Sequence, residues 1–132
     1  MTLERGRLRF FCHAIGETDS VYTDVDVARA AGYADLLAPP TFLFGLEAEG
    51  GRLELLVDLL QVPLGKVLHG EQAFTYHRPA CAGDTITMRS RISDIYDKKG
   101  GALEFVVRQT RVSNQRDELV AELRCVTVVR NA

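Results

Sequence analysis

His69 and Glu71 stand two residues apart at the start of a strand-like run. Side chains two apart in a strand point to one face, so an imidazole and a carboxylate at this spacing can act together, or line a ligand or subunit contact. Gly70 between them allows a plainer reading, a bend in the backbone with His69 hydrogen-bonded beside it. A second polar cluster, Glu17-Thr18-Asp19-Ser20, is turn-like, and Tyr22 follows it. His77 and Arg78 form a third, just before Pro79. His13 sits among apolar residues at helical spacing and reads as a packing histidine. Cys12, Cys81 and Cys125 are odd in number, far apart and in no C-x-x-C spacing, which makes them buried reduced thiols. With no metal-ligand cluster and no glycine-rich phosphate loop, no metal or redox cofactor is expected.

The elements that must position these residues belong to one ordinary domain. The chain has 132 residues, 46% hydrophobic and 26% charged, enough for one core and too apolar for disorder. Sixteen basic against eighteen acidic residues give a net charge of −2. No basic run exceeds Lys98-Lys99, so neither nucleic acid nor an acidic membrane is an expected partner. No apolar stretch approaches the roughly 18 residues of a spanning helix. The charged start Met1-Thr2-Leu3-Glu4-Arg5 lacks an apolar signal core, and a cytoplasmic location is expected.

Up to about residue 62 the chain reads as helices and turns. Leu8, Phe11, Ala14 and Ile15 recur at helical spacing until Gly16. A short helix over 24–31 follows, with Thr23 and Asp26 resembling a capping box and Gly32 just past the end. Pro39 and Pro40 announce a helix over 41–49, stopped by Gly50-Gly51. Its first half, Phe42-Leu43-Phe44-Gly45-Leu46, is apolar on every face and predicts burial all round. Leu53, Leu56, Val57 and Leu60 predict one more amphipathic helix before Pro63.

The second half alternates with period two over 67–77, 84–94, 103–112 and 119–130. Turn chemistry separates these runs at Pro79-Ala80-Cys81-Ala82-Gly83, Asp97-Lys98-Lys99-Gly100-Gly101 and Ser113-Asn114-Gln115-Arg116-Asp117. Short connections predict an antiparallel meander. An apolar helix before a long antiparallel sheet predicts an α+β layout in which the sheet wraps the helix.

Four stretches carry a family resemblance: FFCHAIGETDSVYTD over 10–24, AGYADLLAPPTFLF over 31–44, LHGEQAFTYHRP over 68–79 and AGDTI over 82–86. In this order and spacing they resemble the MaoC-like dehydratases and (R)-specific enoyl-CoA hydratases of the hotdog fold, particularly the N-terminal half of two-domain members. The resemblance implies one hotdog domain over 1–132, a central apolar helix wrapped by a curled antiparallel sheet, and pairing with a second hotdog chain as homodimer or heterodimer. It also implies an acyl-CoA or acyl-carrier thioester as substrate or ligand. Active members hydrate a double bond conjugated to the thioester, which needs a base, an acid and donors on the thioester oxygen. The family supplies the first two from a D-x-N-P-x-H segment and the third from backbone N–H at a His-Gly pair opening the central helix.

The corresponding segment here is Glu17-Thr18-Asp19-Ser20-Val21-Tyr22. Glu17 keeps a carboxylate but moves its oxygens by about 1 Å, a displacement that can cost on the order of 100-fold. Tyr22 replaces the histidine with a phenol of ordinary pKa about 10, a poor base at neutral pH. The His-Gly pair corresponds to Pro39-Pro40, and proline has no N–H to give. The first expectation is therefore a non-catalytic subunit that makes room for the acyl chain beside a partner with the Asp/His pair. Thr41, Phe42 and Phe44 would shape the acyl tunnel, Asp19 would contact substrate, and His77 and Arg78 would meet the CoA phosphates. The second is a self-sufficient homodimeric hydratase, or a thioesterase, using Glu17 or Glu71. The third is an acyl-CoA-binding module without turnover.

Overall fold

The computed structural model describes residues 1–131, and within the fourth helix all side chains but those of residues 52–54. Helix α1, Arg5–Ile15, ends at Gly16, whose φ of 72° is a left-handed cap. Leu8 and Cys12 are fully buried and Phe11 partly so, but Ala14 and Ile15 are exposed. The last turn of α1 projects beyond the core, and His13 is exposed there rather than packed as its apolar neighbours predict. In α2, Val25–Ala30, the cap is Asp24 and not Thr23: its carboxylate accepts from the N–H of Asp26 at 2.9 Å and of Val27 at 3.3 Å.

Helix α3, Phe42–Glu49, follows the two prolines as expected. Its burial is not all round. Phe42, Leu43, Leu46 and Glu47 form one buried face, while Phe44 and Ala48 look outward. That face meets Leu3, Leu8, Leu36, Val112, Val120 and Leu123 in the main core. Helix α4, Arg52–Leu60, follows, with Leu56 buried and Leu55 and Leu59 exposed. Leu53, assigned by its spacing to the apolar side of this helix, lies outside the described side chains.

Four antiparallel strands complete the fold: β1 Val67–Tyr76, β2 Thr87–Lys98, β3 Leu103–Ser113 and β4 Leu119–Arg130. Their spatial order is β1-β4-β3-β2, so only β2-β3-β4 is a meander. The expectation that β1 pairs with β2 fails because the connection is not a hairpin. Residues 77–86 must cross three strand spacings, roughly 14 Å. On the way they pair with the N-terminal half: Ala38 donates to the Ala80 carbonyl, Ala82 to that of Leu36 and Leu3 to that of Asp84, each at 2.8 Å. β2 also runs past the expected end at Asp94. A bulge between Ile92 and Asp94 resets the alternation there and hides the strand's continuation.

Side chains on the sheet divide cleanly. Arg108, Thr110, Val112, Leu123 and Cys125 face α3, and Arg89, Arg91, Gln109, Arg111, Glu122 and Arg124 face away. The α+β layout with the apolar helix against a curled sheet is as the sequence predicts.

Candidate functional site

The loop after α1 carries Glu17, Asp19 and Tyr22. The Glu17 carboxylate folds back on its own loop, where Oε1 accepts from the N–H of Thr18 and of Asp19, both at 2.9 Å. Asp19 is used locally as well: its Oδ1 accepts from Val21 N–H at 3.0 Å and caps the 3₁₀ turn Ser20–Tyr22. Tyr22 is half-buried. Desolvation, and then the nearby Glu17 and Asp19 carboxylates, raise its phenol above the ordinary value. It therefore holds its proton at neutral pH and can serve in hydrogen bonds but not as a base.

Tyr22, Pro39, Pro40, Tyr76 and Arg78 line a cleft of about 150 Å³ at the start of α3. The first N–H along this helix entry is that of Thr41, since Pro39 and Pro40 have none and Phe42 N–H is bonded to the Pro39 carbonyl at 2.9 Å. The Tyr76 hydroxyl donates to the Pro40 carbonyl, and desolvation pushes its pKa up to about 12. The Thr41 side chain is exposed and makes no capping bond. Phe42 is core, 5% exposed and edge-on to Phe11 at 5.2 Å.

His69 and Glu71 do not share a face. The β1–β4 register slips between them, so His69 pairs with Thr127 and Glu71 with Val126. Gly70 forms the bulge because a Cβ there would meet Val128 Cγ2 at 2.8 Å and the Val126 carbonyl at 3.1 Å. His69 turns toward α3 and stacks on Phe44 with ring centroids 5.0 Å apart. Glu71 turns to the opposite face and accepts from Arg124 Nη1 at 2.9 Å. His77 lies 2.9 Å from Glu122, and Arg78 lies 3.8 Å from Glu118. A concavity of about 620 Å³ also lies on the face away from α3, over Arg89, Arg91, Arg111 and Arg124, and holds none of the loop residues.

Glu47 escaped the sequence reading, since a lone acid on an apolar helix looks like a solvated position. It is 1% exposed. Its Oε1 accepts from Arg108 Nε at 3.2 Å and from the Thr110 hydroxyl, which lies 2.7 Å from the Ser90 hydroxyl. Glu47 and Arg108 line a second cleft of about 150 Å³ together with Phe44, Leu64, Val67, Leu68 and His69. Tyr76 was also missed as a partner of the α3 entry. No group of acids, histidines or cysteines among the described residues is arranged to hold a metal.

The model of the FAS1-like dehydratase domain region matches residues 1–123. A UPF0336 protein of Parafrankia sp. (strain EAN1pec) is 41% identical over 128 residues, 96% of this chain and 82% of that one. The C-terminally truncated HadBC (3R-hydroxyacyl-ACP dehydratase) complex of Mycobacterium tuberculosis superposes with a TM-score of 0.81 at 27% identity, covering 97% of this chain and 88% of the matched chain. A MaoC-like dehydratase superposes with a TM-score of 0.84 at 22% identity, covering all of this chain but 39% of its own. The helix-in-sheet architecture is thus the hotdog fold of the MaoC-like dehydratases. Within that class the chain belongs to the FAS1-like dehydratase-region family, alongside the UPF0336 proteins.

Proposed function

We propose that this protein is the acyl-accommodating, non-catalytic subunit of an (R)-specific enoyl-thioester hydratase or 3-hydroxyacyl-thioester dehydratase, working beside a second hotdog chain with the Asp/His pair. The observation that carries this reading is the disposition of the three altered catalytic positions. Glu17 is engaged by its own loop, Tyr22 is a phenol held protonated, and the α3 entry is closed to N–H donation at Pro39 and Pro40. That set lacks both the imidazole base and the N–H of the residue at Pro40 that hydration uses in the active members.

The acyl chain would enter the apolar cleft beneath Phe44, with the thioester near Thr41 and the CoA or carrier phosphates toward Arg78 and His77. The partner would cover the β1 edge, where Phe44, Leu64 and Leu68 are 36%, 60% and 45% exposed. The HadBC neighbour is a two-chain 3R-hydroxyacyl-ACP dehydratase complex, which supports a heteromeric arrangement. Glu71, engaged by Arg124 on the far face, is poorly placed for a thioesterase role. The test is co-expression with a hotdog chain carrying D-x-N-P-x-H. The reading expects a stable complex whose enoyl-CoA hydration exceeds that of either chain alone. A fully active homodimer of this chain overturns it.

A further inference from the structure

Strands β2, β3 and β4 turn four arginines out from the sheet face away from α3. Arg89 stands directly opposite Arg111 in the β2–β3 register. Arg91 stands opposite Gln109, and Gln109 opposite Arg124. Strands lie about 4.8 Å apart and residues two apart on a strand about 6.8 Å, so the four long side chains can reach one point. They line the concavity of about 620 Å³, to which β1 contributes only the small Ala73 and Thr75. It shares no lining residue with either cleft on the helix side.

The positive charge there is only partly balanced from within. Glu71 takes Arg124 at 2.9 Å, and Asp117 lies 3.8 Å from Arg89 with both side chains exposed. Glu122 also lines the hollow, but its carboxylate lies 2.9 Å from His77. Among the described residues Arg91 and Arg111 form no ion pair, and Arg91 is held instead by the side-chain oxygen of Gln109 at 2.9 Å. Like charges directly opposite each other on neighbouring strands destabilise a sheet. An anion seated between Arg89 and Arg111 reverses that cost, and guanidinium forks match phosphate oxygens two at a time. The hollow has the size of a small-ligand site, and four forks around it exceed what a single phosphate can use. We propose that it binds a small ligand with two or more linked phosphates, as in a nucleoside di- or triphosphate or inorganic polyphosphate. The site is independent of the acyl-thioester role.

The experiment is titration calorimetry of the full chain with sodium tripolyphosphate, ATP and orthophosphate at constant ionic strength. One tripolyphosphate should bind per chain, about tenfold tighter than orthophosphate. Arg91→Gln and Arg111→Gln should each weaken it by about tenfold. Neither should lower the Tm of the unliganded protein, because each takes a charge out of a repelling cluster. A merely structural role would lower Tm and leave binding intact. ATP binding at least as tightly as tripolyphosphate makes the ligand a nucleotide, and weaker binding of ATP makes it the inorganic chain. No heat with either, or binding that survives both substitutions, overturns the proposal. So does hexaglutamate binding as tightly as tripolyphosphate, which would make the hollow a docking surface for an acidic protein.

Discussion

At the scale of single residues, the clearest electrostatic feature is Asp35. Arg5 grips it with Nε to Oδ1 at 2.8 Å and Nη2 to Oδ2 at 2.5 Å, and Leu36 N–H adds a third bond at 2.8 Å. The Arg5 hydrogen bond is the main cause that lowers the carboxyl from an ordinary 3.8 to about 2. A folded-state value below the unfolded one stabilises the protein above about pH 4, and this stabilisation disappears as pH falls toward 2. Arg5 is half-exposed, so solvent screens the pair and its contribution is small. Asp35→Asn should therefore lower Tm at neutral pH, and the gap from the parent should close on acidification to about pH 2. A gap independent of pH would contradict this. Neither residue attracts notice in the sequence, because ion pairs 30 positions apart have no local signature.

At the scale of elements, local rules served where local forces decide. Gly16 caps α1, Pro39-Pro40 precede α3, and β4 begins and ends as its alternation predicts. The rules failed at the two bulges. Period-two reading assumes unbroken alternation, and one extra residue at Gly70 sends His69 and Glu71 to opposite faces. Gly70→Val makes this testable. Its side chain would collide with Val128 and the Val126 carbonyl, costing about 1–3 kcal/mol. Thermal denaturation should show a clear loss of Tm, whereas an unchanged Tm would mean the bulge is not needed. Strand order was equally hidden, because what holds 77–86 across the sheet end is pairing with residues near 1–3 and 36–38. The family resemblance located the candidate loop, but not the Glu47–Arg108 pair, whose partners lie 61 residues apart.

At the scale of the whole molecule, the open β1 edge and the apolar residues beside it are unfinished in a single chain. Leu64 and Leu68 are exposed, line the cleft beside Phe44 and belong to no core cluster among the described residues. Leu64→Asp together with Leu68→Asp should abolish assembly, measured by light scattering. The fold itself should change by no more than about 0.5 kcal/mol per site, as is usual for surface substitutions. Retained assembly would move the interface elsewhere.

The proposed role makes catalysis depend on a second chain. The most direct measurement is hydration of crotonyl-CoA and of a longer trans-2-enoyl-CoA, followed by loss of the conjugated thioester absorbance, with thiol release read in parallel. This chain alone should be silent in both channels. Hydration of the longer substrate should begin once a hotdog chain bearing the Asp/His pair is added. Turnover by this chain alone that Glu17→Gln abolishes would contradict the proposed role and make Glu17 a catalytic residue.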